Sequence, residues 1–240
     1  MGVEIFHRIA LALVFAAGCI YPSMGEQSTF SILEYEHALR ENTKSPKELS
    51  SLCKTDDEQS CIILAGLLLS GKGVKQDKSL AEKLLSETCD KSFQKACIVL
   101  AHIYSYPKYG FRKDFLTVQN LLENACGLSY AVACESLGFH YLGGFREGGS
   151  SVRDIDNAEN SFQRACDLGL VGGCLILSEM YGTGVHREED LDKSYAYYQS
   201  ACNIFKKTDV KAFSSYCDTT CAPNKAYFGS WASSAFCGKE

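Results

Sequence analysis

The chain has 240 residues, 24 of them basic and 29 acidic. This mildly acidic balance supplies no electrostatic footprint for nucleic acid or for an anionic membrane surface. Thirteen cysteines stand against five scattered histidines; zinc sites call for cysteine gaps of about two to four residues, so the cysteines here read as disulfides.

The first 25 residues predict an export signal. Arg8 precedes an apolar run from Ile9 to Ile20 that is interrupted only by small residues, and Tyr21-Pro22-Ser23-Met24-Gly25 follows. The run is shorter than the about 20 residues a membrane-spanning helix needs. Two processing routes are open. Cleavage after Gly25, with small Ser23 and Gly25, gives a soluble periplasmic or secreted protein. Cleavage before Cys19, at Ala16-Ala17-Gly18-Cys19, gives a lipoprotein anchored through Cys19, the one route to membrane attachment. Either route leaves an even twelve cysteines for a disulfide framework, which persists outside the cytosol.

Residues 28–60 read as N-terminal capping helices. The segment 28–44 is apolar at Phe30, Leu33 and Leu39. Ser45-Pro46 then starts a helix that runs to Cys53, because proline suits the first helical position. A capping unit with a more polar outer face keeps a repeat array soluble.

From Cys53 onward the cysteines set a rhythm. Cys53 and Cys61, Cys89 and Cys97, Cys126 and Cys134, and Cys166 and Cys174 are each eight apart, and the first members, counted on to Cys202, are separated by 36, 37, 40 and 36 residues. An interval of that size means one supersecondary unit repeated. Twelve residues before Cys89, Cys126, Cys166 and Cys202 stand Asp77, Asp114, Asp154 and Asp190, in N-cap position. Leu85, Leu122, Phe162 and Tyr198, with Thr88, Ala125, Ala165 and Ala201, then mark the inner face of a helix ending at the cysteine. After the second cysteine, position +3 is Leu64, Leu100, Leu137 and Leu177; position +4 is small (Ala65, Ala101, Gly138, Ser178); position +7 is Leu68, Tyr104, Tyr141 and Tyr181. That spacing is a second helix with a close neighbour at its small residue. Glycine turns such as Gly71-Lys72-Gly73-Val74 and Gly182-Thr183-Gly184-Val185 close it. The units fall at 61–96, 97–133, 134–173 and 174–216. The third is longer, and Gly143 to Ser151 is the candidate insertion and a candidate binding loop.

Past Cys202 the rhythm changes. Cys217 is fifteen residues on, the usual eight plus an insertion near Lys206 to Ala212, which leaves Cys221 and Cys237 to pin a closing cap, 217–240, containing Trp231. Four cysteines allow three pairings, and this one continues the pattern. Cys217-Asp218-Thr219-Thr220-Cys221 has three intervening residues, not the two of a thioredoxin-like motif.

The frame Leu177, Ser178, Tyr181, Gly182, Gly184, Val185, Asp190 and Ala201 resembles the Sel1-like repeat, a relative of the tetratricopeptide repeat. The eight-residue cysteine spacing is similar to the cysteine-rich subgroup found in Helicobacter-type secreted proteins. The resemblance covers residues 45–205. It implies an all-α, right-handed αα superhelical solenoid stapled by disulfides, acting as a monomeric, non-catalytic scaffold that binds a protein partner in the cell envelope or in a host. It also carries an alternative, since cysteine-rich members have been described as penicillin-binding with weak β-lactamase activity. A serine β-lactamase needs Ser-x-x-Lys with Ser-Asp-Asn and Lys-Thr-Gly support. Here Ser92-Phe93-Gln94-Lys95 stands without either, inside the turn between Cys89 and Cys97. No catalytic, cofactor or metal grouping is expected.

Recognition is expected at position +5, which varies between units as Gly66, His102, Phe139 and Glu179 while +3 stays leucine. His102, Phe139 and Glu179 are therefore the candidate partner-binding residues, with Glu135 beside them.

Overall fold

The computed structural model describes residues 32–106, 109–112, 114–143, 153–208 and Cys217. The expectations for the export signal, for the third-unit loop beyond Gly143 and for Cys221 and Cys237 lie outside these residues. Among the described residues there is no strand, and the α-helices are α1 Ile32–Glu41, α2 Pro46–Cys53, α3 Glu58–Ser70, α4 Lys78–Asp90, α5 Gln94–Ser105, α6 Phe115–Gly127, α7 Ala131–Gly143, α8 Ile155–Asp167, α9 Val171–Thr183 and α10 Leu191–Thr208. Two compact units divide them, Thr29–Leu137 and the chain from Gly138 onward, with the boundary inside α7.

The helices begin where the aspartates dictate. Asp77, Asp114, Asp154 and Asp190 accept from the amides of Leu80, Thr117, Asn157 and Lys193 at 2.9–3.1 Å. Each such cap is worth about 1 kcal/mol. Ser45 caps α2 in the same way, ahead of Pro46. Asp57 caps α3.

Each cysteine pair spans a turn with one strained residue. Three positions after the first cysteine, Asp56, Ser92, Ser129 and Gly169 all adopt left-handed backbone, with φ between 62° and 87°. That conformation reverses the chain and brings the two cysteines to Cα separations of 4.7–4.8 Å, and all four eight-spaced disulfides are formed. The eight cysteines concerned are buried. Closing an eight-residue loop contributes about 2.5 kcal/mol in the chain-entropy model. Cys202 bonds to Cys217, as the continued pattern requires. Part of the sequence length expected as an insertion there is helix, since α10 runs through Lys206 and Lys207 to Thr208.

In the N-terminal unit Leu49, Ile63 and Leu67 form a core cluster flanked by Ala38, Leu39, Leu64 and Val74. In the C-terminal unit Phe162, Cys174, Leu177 and Ala201 are fully buried at the centre of a cluster that also holds Ala158, Val171 and Met180. Position +4 permits the closest approach. A Cβ on Gly138 would come within 2.5–2.7 Å of the Phe162 ring. Ser178, at the same position of α9, is wholly buried and exchanges hydrogen bonds with the Ser194 backbone and hydroxyl of α10.

Candidate interaction surface

The first helix of each repeat carries the variable +5 position, and its surroundings differ from unit to unit. In α3 the expectation that +5 faces solvent is overturned. A Cβ on Gly66 would run into Leu39 and lie 2.9 Å from the Tyr35 hydroxyl, because α1 packs there. In α5 His102 is half-buried, with its ring centroid 4.4 Å from that of Tyr106 and 5.6 Å from that of Tyr109. Glu135, at +1 of α7, is also half-buried. It stands where the other units carry Ile62, Ile98 and Leu175, and burial raises its carboxyl to about 7.

The C-terminal unit is more open. Phe139 is 40 % exposed and meets the buried Phe162 edge-on, with centroids 5.1 Å apart. Glu179 is exposed, and desolvation by the surrounding protein raises its carboxyl above the ordinary range. The neighbouring Leu177 and Met180 point into the core, while Leu175 and Ile176 are half-buried. Of the four candidates, then, Phe139 and Glu179 share the C-terminal unit, and His102 and Glu135 lie in the N-terminal one.

Three polar arrangements escaped the sequence reading. Tyr104 donates to Glu82 and Tyr181 donates to Glu159, both across 22 residues, tying the first helix of one repeat to the second helix of the preceding one. The repeated interval of 22 was a usable signal. Burial and then the Glu159 hydrogen bond push the Tyr181 phenol up to about 12, so it stays protonated. Arg187 Nη2 lies 2.6 Å from both Asp156 and Glu159, Tyr181 stacks on Tyr197, and Lys193 Nζ sits 4.7 Å over the Tyr181 ring. These contacts fasten the 184–190 loop to α8, although the buried Arg187 Nε has no hydrogen-bond partner among the described residues. Finally, Glu58 accepts from the amides of Lys95 and Ala96 at 3.0 and 3.2 Å, capping α5, whose own N-cap residue Phe93 offers no acceptor.

Ser92 is placed by backbone demand. It occupies the left-handed turn position that Asp56, Ser129 and Gly169 fill in the other units, so nothing at that position calls for a serine hydroxyl.

Capped helix pairs in tandem, each turn closed by an internal disulfide, define a helical-repeat scaffold. Residues 59–93, 131–170 and 172–203 match the Sel1 repeat family. The chain thus contains Sel1 repeats, and its eight-spaced disulfides accord with the cysteine-rich subgroup. It is similar to cytochrome c oxidase assembly factor 7 of Xenopus tropicalis, at 25 % identity over 68 % of this chain and 73 % of that protein. Among solved structures it resembles a Sel1 repeat protein from Oxalobacter formigenes, with a TM-score of 0.54, 15 % identity and coverage of 97 % of this chain and 98 % of that one. It also resembles c5321, a protective antigen of uropathogenic Escherichia coli strains displaying an SLR fold, with a TM-score of 0.53, 14 % identity and coverage of 79 % of this chain and 40 % of that one. The structural likenesses speak to the fold alone.

Proposed function

We propose that this protein is an exported, non-catalytic scaffold that recognises another protein in the cell envelope or in a host. His102, Glu135, Phe139 and Glu179 are its recognition residues, with Phe139 and Glu179 the leading pair. The observation that carries this reading is the contrast within α9: Leu177 and Ser178 are wholly buried, whereas Glu179 is exposed and has no hydrogen bond or ion pair to its carboxylate among the described residues. Side chains without a packing duty are where repeat scaffolds read their ligands. The five disulfides among the described residues support an oxidising, extracytoplasmic location. No described helix is long and apolar enough to cross a membrane. The similarity to a protein named as an assembly factor is in keeping with a scaffold role.

The test is capture of a partner from envelope and culture extracts by the oxidised protein and by the Phe139→Ala, Glu179→Ala double variant. The variant should lose the partner that wild type retains while melting at nearly the same temperature, because exposed substitutions usually change stability by under about 0.5 kcal/mol. Early melting of the double variant would return both residues to the core and remove them from recognition. A chromogenic cephalosporin should be hydrolysed no differently by Ser92→Ala than by wild type; loss of a clear activity in that variant would favour the hydrolase alternative.

A further inference from the structure

We propose that the face of α9 around Glu179 seats a lysine or arginine side chain carried on an apolar segment of the protein partner. This deepens the reading above and rests on position +5 of α9 being a recognition position.

Four observations lead to the cation. Glu179 is the single charged residue of α9, whose sequence VGGCLILSEMYGT is otherwise apolar, small or hydroxylic. Four acids of this unit are engaged, since Asp154 caps α8, Asp190 caps α10, and Asp156 and Glu159 hold Arg187, while Glu188 and Glu189 stand exposed in the 184–190 loop. Glu179 has neither a donor nor a cation on its carboxylate among the described residues, and unlike Glu188 and Glu189 it stands on a helix that is otherwise without charge. The desolvation that raises its carboxyl has no opposing attraction to a positive charge. A carboxylate that is accessible but partly desolvated and unpaired gains from an incoming ammonium or guanidinium group through a charge-assisted hydrogen bond.

The apolar residues beside Glu179 on α9, and the residue at its register on α7, argue for an apolar carrier. Leu175 and Ile176 are half-buried one turn before Glu179 on α9. Phe139 takes the same register position on α7 and is 40 % exposed. Aromatic side chains of this kind are the usual anchors of binding energy. An acidic or phosphorylated segment would meet like charge at Glu179 and be rejected, so the site selects by sign as well as by hydrophobicity.

The test uses the full oxidised protein and short fluorescein-labelled peptides in which leucine pairs alternate with lysine, with matched glutamine and glutamate peptides as probes. Fluorescence anisotropy is read at physiological salt. The lysine peptide should bind about tenfold more tightly than the glutamine peptide, a difference of about 1.4 kcal/mol, and the glutamate peptide more weakly than either. Glu179→Gln should abolish the preference for lysine. Glu87→Gln, which removes an exposed carboxylate paired with Lys83 in the other unit, should preserve it. Phe139→Ala should weaken all three peptides alike. Equal binding of lysine and glutamine peptides, or a lysine preference that survives in Glu179→Gln, overturns the proposal. If Phe139→Ala still weakens every peptide in that event, the surface stands and only its charge selectivity falls. Absence of binding by every peptide, or binding indifferent to Phe139→Ala, overturns both.

Discussion

Gly66 in α3 and Glu179 in α9 occupy one register position of the same repeat and meet opposite fates. In the N-terminal unit Tyr35 and Leu39 of α1 lie over Gly66, Tyr35 is 1 % exposed, and there is no room for a side chain. In the C-terminal unit Glu179 is open, although Leu177, two residues earlier, is as buried as any residue of the protein. The repeat therefore constrains one face of its first helix and leaves the other to local circumstance. An N-terminal capping helix uses that freedom to bury apolar surface. The C-terminal unit leaves it exposed to solvent.

The comparison breaks first on the inward face, where the largest effect is expected. Leu177→Ala should cost about 2–5 kcal/mol in urea unfolding, since the residue is fully buried and its loss leaves a cavity. If it cost no more than Phe139→Ala, the distinction between an inward and an outward face would be wrong.

Next comes the staple. Replacing Cys89 and Cys97 together by alanine should lower stability by about 2.5 kcal/mol while leaving helical circular dichroism in place. Collapse of the helical signal would mean that the disulfide holds the fold and does not merely restrict the unfolded chain.

A smaller effect sharpens the contrast between positions +1 and +5. Glu135 has a folded carboxyl at about 7 against an ordinary value of 4.5, so its protonated form is favoured by folding. The stability it contributes is complete below the unfolded value and is lost as pH rises through about 7. Glu135→Gln should consequently match wild type near pH 4 and exceed it by about 1 to 2 kcal/mol at pH 8, the partial exposure of the side chain limiting the gain. Unfolding midpoints across that range check it, and identical pH profiles would remove the burial argument.

Much of the fold was legible because its determinants are local and repeat. The aspartate caps sit a fixed distance before a cysteine, and the turn closes over eight residues whose third position is left-handed in every unit. What stayed hidden was non-local. Glu58 caps a helix that begins 36 residues later in the chain, where Phe93 gives no hint of an outside partner beyond its own inability to cap. The covering of Gly66 depends on α1, which lies outside the repeat, so the periodicity that identified position +5 could not reveal that one copy of it is closed. Glu135 could have been recognised as odd by setting it beside Ile62, Ile98 and Leu175, which share its register.

The most direct test exchanges the two side chains of the opening comparison, each in its own variant, and follows unfolding by denaturant. Gly66→Glu should lower the transition midpoint sharply, because it drives a charge against Tyr35 and Leu39, and unpaired buried charge typically costs several kcal/mol. Glu179→Gly should cost only the roughly 1 kcal/mol of glycine's helix propensity. Equal losses in the two variants, or a greater loss in Glu179→Gly, would contradict the claim that one repeat position is closed by packing in the first unit and open for recognition in the last.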